Sequence, residues 1–133
     1  MALTTTISTK ELQRQAAAAF EGQTYTVFLA VNSGTLTAES TAATWLGVKV
    51  SGGGYADVTG TIGTGAYASG NARYELPAIN ATFTATGVGF TYDTVCIRIG
   101  TATYLHSLLV ETPSVTMAAG QSKTYTITLA VDD

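Results

Sequence analysis

Few side chains in this sequence are able to do chemistry, and their spacing decides how far each can be taken. The one histidine, His106, sits in Tyr104-Leu105-His106. A protein-held metal ion needs several convergent His, Cys, Asp or Glu ligands. No second His or Cys stands near His106, so no metal is expected. The one cysteine, Cys96, lies between Val95 and Ile97. A lone thiol forms no internal disulfide, and one inside an apolar run acts as a small core hydrophobe. No G-x-S-x-G elbow is present, and no cysteine-nucleophile signature surrounds Cys96. Asp57, Glu75, Asp93 and Glu111 are far apart in sequence, so a paired acid and base is not indicated. Gly60-x-x-Gly63-x-Gly65 superficially resembles a phosphate cradle, but it lacks the Gly-Lys-Ser/Thr ending and a helix pattern after it. Asn80-Ala81-Thr82 has the form of a glycosylation sequon, taken as chance because no secretory leader pattern is seen. No catalytic residue and no cofactor are expected.

Binding chemistry is better represented. Ser51 to Arg73 is Gly-rich and irregular, and it carries Tyr55 and Tyr67. Long Gly-rich loops in compact domains are usually functional or mobile, and aromatic anchors bring contact area at low entropic cost. Tyr55 and Tyr67 are therefore candidate partner contacts, with tucking back onto a sheet as the alternative. Trp45, the only Trp, is read as core, with a ligand platform as the alternative. Asn71, Thr82 and Tyr92 have the side-chain types of a sugar-binding surface. Leu3 on the N-terminal arm, with Leu12 and Phe20 on the following helix, complete the candidate contacts.

The elements that must position these residues are mostly strands. Apolar residues make up 46% of the 133 and charged residues only 11%, against about 25% charged in an average domain. Polar surface must come from residues such as the 25 Thr, which are stiff at χ1 and suit a pleated surface. Net charge is −3. Lys10, Arg14, Lys49, Arg73, Arg98 and Lys123 form no basic stripe, so nucleic acid is not an expected partner. No apolar run approaches membrane-spanning length, so no membrane partner is expected. The start, MALTTTISTKELQRQ, has no apolar core after a basic end, so no signal peptide is expected and synthesis is placed in a cytosol.

In chain order, Met1 to Ile7 reads as an extended arm. Ser8-Thr9-Lys10-Glu11 fits a capping box. Leu12, Ala16, Ala19 and Phe20 fall on one stripe of a short helix from about Thr9 to Phe20, which Gly22 ends. Strands are expected at Thr24–Val31, Thr35–Ala38, Thr44–Val50, Thr101–Val110 (broken by Pro113) and Thr124–Val131. The centre is Leu76 to Ile99. Ile79, Ala81, Phe83 and Ala85 alternate with polar residues. Gly87-Val88-Gly89 suits a reversal, and Phe90 to Ile99 is read as the returning arm of a hairpin. Val95-Cys96-Ile97 is apolar on both faces, which places that strand centrally. Seven or eight short strands with Gly and Pro turns predict an all-β fold, an antiparallel β-sandwich of jelly-roll or Ig-like kind. Residues 1–22 form an N-terminal arm and one short helix, and residues 23–133 form the sandwich.

Three stretches carry a family likeness: GTGAYASGNARYELP (Gly63 to Pro77), ATFTATGVGFTYDTVCIRIG (Ala81 to Gly100) and AAGQSKTYTITLAVDD (Ala118 to Asp133). Together they resemble small virion proteins of tailed bacteriophages, particularly those infecting cyanobacteria. The resemblance implies a non-enzymatic structural protein of the virion. Within that class it implies a head decoration, or cement, protein that sits as a homotrimer on the major capsid protein and stabilises the assembled lattice. The arm Met1 to Ile7 would order on that surface. A tail, neck or fibre component and a carbohydrate- or receptor-binding sandwich module are the alternatives.

Overall fold

A computed structural model of the chain describes residues 9–31, 36–37, 39–67 and 73–131. Met1 to Ile7, Ser8 of the capping box, and Thr35 and Ala38 of one expected strand lie outside them. In chain order the elements are α1 (Thr9–Ala18), β1 (Thr24–Ala30), α2 (Ala42–Val48), β2 (Val58–Thr61), β3 (Ala66–Tyr67), β4 (Tyr74–Glu75), β5 (Ile79–Thr84), β6 (Phe90–Ile99), β7 (Ser107–Met117), β8 (Ser122–Ile127) and β9 (Ala130–Val131). One sheet has the order β2-β1-β6-β7; β3-β4-β9 and β5-β8 form the others. All their pairings are antiparallel. The fold is an all-β sandwich, as its Thr-rich alternation predicts.

β6 is the central strand, paired with β1 on one side and β7 on the other. Phe90, Tyr92, Val95, Ile97 and Ile99 enter the main core. Cys96 enters a second cluster with Phe28, Ala30, Leu36, Trp45 and Leu105. The side chains facing the core change from even to odd positions at Asp93, where the β6–β7 register shifts. Tyr92 faces Val115 and Thr94 faces Val110, so β7 carries Glu111 to Ser114 opposite the single residue Asp93.

The expected hairpin of Leu76 to Ile99 is corrected. β5 pairs with β8, not with β6. Gly87-Val88-Gly89 lifts the chain from one sheet to the facing one. The reason is burial. Ile79, Ala81 and Phe83 on β5 and the β6 core residues are both strongly apolar faces, and opposing them across the core covers both at once. Each large side chain so buried contributes about 1.5–3 kcal/mol.

Four further expectations change. Thr44–Val50 is not a strand: Thr44 to Val48 are helical in α2, whose first turn closes from Thr44 N and Trp45 N to Thr41 O at 3.0 and 3.1 Å. Trp45 and Val48 lie three apart, so both turn toward the second cluster while Leu46 faces water. There are thus two helices among the described residues, not one. β7 starts at Ser107 and runs through Pro113 without breaking. Pro113 sits in the Glu111–Ser114 bulge, where no ladder N–H is required. The last expected strand is two: Thr128-Leu129 steps from β8 to β9, and Leu129 O accepts from Leu76 N at 2.9 Å. Leu36 and Thr37, the described part of the expected Thr35–Ala38 strand, are not in a strand; Leu36 is buried in the second cluster.

α1 packs on β4 and β9 through a face rotated by one residue from the expected stripe. Gln13 and Ala17 are buried, whereas Leu12 is 52% exposed and Ala16 and Ala19 are also exposed. Small Ala17 lets the helix axis come close to the sheet. The Glu11 carboxylate accepts from Arg14 and Gln15 on the outer side.

Two glycines hold the connections together. A Cβ on Gly53 would lie 2.1 Å from Gly89 O, and one on Gly89 would lie 2.1 Å from Met117 O. Gly87, two residues earlier, also has positive φ but opens on empty space. Gly87→Ala should therefore cost only the conformational penalty, about 1 kcal/mol. Gly89→Ala adds a backbone collision and should cost about 3 kcal/mol or more. Urea denaturation of both variants checks this; equal losses would show that no interlock exists.

Candidate functional site

The side chains best placed to meet another molecule follow from what β7 leaves uncovered. β7 is an edge strand of the four-stranded sheet. Its first residues pair inward, Ser107 with Ile97, Leu108 with Cys96, Leu109 with Val95 and Val110 with Thr94. Their outward edge has no partner strand among the described residues. Leu109 is 53% exposed and Val110 45%. Opposed residues of an antiparallel pair share a face. Leu109 therefore stands on the core side, like Val95, and Val110 on the outer side. An apolar side chain is offered from each side of an open edge. Edges are normally guarded by Lys, Pro or a bulge; here Pro113 and the bulge guard only the far half of β7.

The two ends of this open stretch are chemically different. At the start of the bulge, Glu111 reaches β8. Its carboxylate accepts from Tyr125 OH at 2.8 Å and from Lys123 Nζ at 3.3 Å, and the Tyr125 and Tyr92 hydroxyls are 2.6 Å apart. The Tyr125 hydrogen bond, helped by Lys123, holds the Glu111 carboxyl below its ordinary value of 4.5. Burial first, then the Tyr92 and Glu111 hydrogen bonds, pushes the Tyr125 phenol up. At the other end, before Ser107, His106 and exposed Tyr104 border a cleft of about 460 Å³ lined also by Phe20, Glu39 and Leu105. The Phe20 and His106 rings meet edge to face at 5.3 Å. Burial holds His106 below its ordinary value.

The expected partner contacts separate under this geometry. Tyr55 is not an exposed anchor. Its ring stacks on Phe83 at 6.0 Å and meets Phe90 edge-on at 5.6 Å. Its hydroxyl accepts from Leu29 N at 2.8 Å and donates to Asp57 at 2.7 Å, and Asp57 also pairs with Lys49. Burial, then the Asp57 hydrogen bond, pushes the phenol up. Tyr55 is a strut joining the loop to both sheets because the facing apolar strands leave a ring-sized gap between Phe83 and Phe90. Tyr67 is partly exposed, with its ring edge-on to Tyr74 at 5.0 Å. Phe20 is half-buried against the main core and borders the cleft. Leu12 is exposed on α1, and Leu3 lies outside the described residues. Tyr92 is fully buried, so it presents nothing to a sugar, and Asn71 also lies outside the described residues.

The remaining chemistry is dispersed. Trp45 is core, under the Arg98 guanidinium at 5.6 Å and beside Phe28 at 5.0 Å. Burial pushes the Cys96 thiol up to about 12, which keeps it protonated and unreactive. Among the described residues no three His, Cys, Asp or Glu side chains gather as a metal group, and no helix is long and apolar enough to cross a membrane. Sequence reasoning missed Leu109, Val110, Tyr104 and Glu39. The available signal was Leu108-Leu109-Val110, apolar on both faces in a strand that lies at an edge.

Tyr55→Phe should cost about 2 kcal/mol, because it strands the buried Leu29 N–H and one Asp57 oxygen. Tyr67→Phe should stay within about 0.5 kcal/mol of the parent. Chemical denaturation compares them; equal effects would refute the division of roles. Glu111 also sets a pH dependence. Its folded carboxyl titrates below 4.5, so its contribution is complete above that value and is lost as the pH falls through the folded pKa. Glu111→Gln should flatten the acid side of a stability-versus-pH curve, and an unchanged slope would remove that contribution. Comparisons with known proteins give no relative: no family model, no curated protein and no solved structure matches the chain.

Proposed function

We propose that the chain is a non-enzymatic structural protein of a tailed-phage virion, a head decoration protein that binds the assembled capsid lattice and stabilises it. The observation that carries this reading is the open half of β7, Ser107 to Val110, with Leu109 and Val110 exposed on opposite faces. Unpaired backbone donors and acceptors beside apolar side chains are the material of strand-addition contacts. The phage setting is taken from the resemblance of Gly63–Pro77, Ala81–Gly100 and Ala118–Asp133 to phage virion proteins and is part of the proposal.

The energetics fit such a role. A ligand that binds only the assembled lattice stabilises it by mass action. Modest contacts suffice when a symmetric oligomer, here a homotrimer, makes several at once. The polar faces add little resistance to close neighbours, since hydroxyls pair across strands: Thr82 with Thr124 and Thr84 with Ser122 at 2.7 Å, and Thr91 with Thr116 at 3.0 Å.

Quantitative mass spectrometry of purified particles should give a copy number close to that of the major capsid protein. A handful of copies per particle would move the chain to the neck, tail or a fibre, and absence would end the virion reading. The double variant Leu109→Lys, Val110→Lys should keep its melting temperature and lose about tenfold in capsid occupancy, because charge on an edge blocks strand addition. Unchanged occupancy would exclude this edge as the contact.

A further inference from the structure

The cleft beside Tyr104 has a composition of its own, distinct from the open edge of β7. Phe20, Tyr104 and His106 give it three ring systems, and Leu105 closes its base at 2% exposure. Glu39 stands at its margin on a turn closed twice, by Ser40 N to Thr37 O and by Thr37 N to Ser40 Oγ, both at 3.0 Å. Ala19 and Phe20 bring in the chain just after the C-terminus of α1, a helix whose last turn carries no basic residue. A helix C-terminus bears partial negative charge. Ring faces are negative too. Among the described residues, those lining the cleft include neither Lys nor Arg. Arg98 is not among the lining residues; its Nε donates to Ala102 O at 2.7 Å and its guanidinium lies over the Trp45 ring, so its charge is held toward that ring and is not cancelled by a carboxylate there. Desolvation lowers the His106 pKa from its ordinary value, which disfavours a positive charge on that ring.

We propose that this cleft receives a basic side chain, an arginine or lysine presented by a protein partner. The complementarity is both of shape and of charge. The aliphatic stem of Arg or Lys suits the apolar floor of Leu105 and Ile99, the cationic head suits the rings, and Glu39 supplies the counter-charge. A volume of about 460 Å³ accommodates one long side chain with water around its head. The proposal goes beyond the virion reading and does not depend on it, since a free peptide tests it with no capsid present.

The test uses three hexapeptides, identical except for a central arginine, citrulline or leucine, titrated into the ¹⁵N-labelled full chain. The arginine peptide should shift the amide signals of Phe20, Glu39, Tyr104 and His106. It should bind about fivefold more tightly than the citrulline peptide, the scale of one exposed cation–π contact with a nearby carboxylate. Glu39→Gln and Tyr104→Ala, both at exposed positions, should each remove most of that preference while leaving the remaining spectrum unchanged. Equal binding of arginine and citrulline would overturn the proposal. So would a preference for leucine, which would make the cleft a purely apolar socket, or the absence of shifts at these four residues.

Discussion

β6 is walled in on every side, and the rest of the fold follows from that constraint. It has a strand on each edge, the main core on one face and the second cluster on the other. A strand buried in this way cannot tolerate an unpaired backbone group. Its neighbours must supply two full ladders, one facing sheet and one outer cover. β1 and β7 supply the ladders, β5 supplies part of the facing layer, and α2 with Leu36 and Leu105 supplies the cover. β1 shares the condition, with Val27 and Leu29 in the main core and Phe28 and Ala30 in the second cluster. The only thiol lies between these layers, which explains its inertness without any appeal to redox chemistry.

The bulge at Asp93 is where this central strand meets its limits. Before it, Phe90 and Tyr92 face the core; after it, Val95, Ile97 and Ile99 do so. A strand without the bulge would turn one of these sets outward, because side chains alternate with period two. The extra β7 residues opposite Asp93 absorb the change and house Pro113. They also deliver Glu111 toward β8, where it joins the Tyr125–Tyr92 pair and ties the two layers at that margin. The same device divides β7 into a guarded half and an open half. The geometry that repairs the core register therefore also determines where an unpartnered apolar edge is left.

The faces of the strands were legible in the sequence, while their neighbours were not. Ile79, Ala81 and Phe83 alternate in the text and are buried in the structure. Val95-Cys96-Ile97, apolar on both sides, marks a central strand correctly. Periodicity, however, reports which way a side chain points and is silent on which strand lies beside it, so β5 and β6 read as a hairpin when they belong to facing layers. The even-to-odd change between Tyr92 and Val95 was itself a written sign of a bulge. Thr-Trp-Leu-Gly-Val misleads because a seven-residue helix and a short strand differ by only a few side chains; the three-residue spacing of Trp45 and Val48 decides it once the sheet beneath is known. For Tyr55 the alternative of tucking back onto a sheet is the one the structure bears out, but its place between Phe83 and Phe90, residues of two different sheets, is not written in its local sequence. The exposed pair Leu109 and Val110 carries no mark of its position for the same reason: an apolar residue at an open edge and one in a core are identical in sequence.

The distribution of charge connects this fold to association. Monomers usually keep their surfaces wet with Lys and Glu. Here the described charges are largely spent internally: Glu11 with Arg14, Lys49 with Asp57, Arg73 with Glu75, and Lys123 with Glu111. The outer faces of β5 and β8 instead carry hydroxyls bonded to one another, with Asn80 accepting from Thr126 at 2.9 Å. A hydroxyl that already has a partner loses less on leaving water than a free charge does. Such faces can lie against a neighbour at little cost, but they give it little to hold. Among the described residues, the open half of β7 and the ring-lined cleft next to it are two places where bonding capacity is left unspent. Tyr104 to His106 leads directly into Ser107, so a chain laid along the edge of β7 would have one end at the cleft, within reach of Glu39.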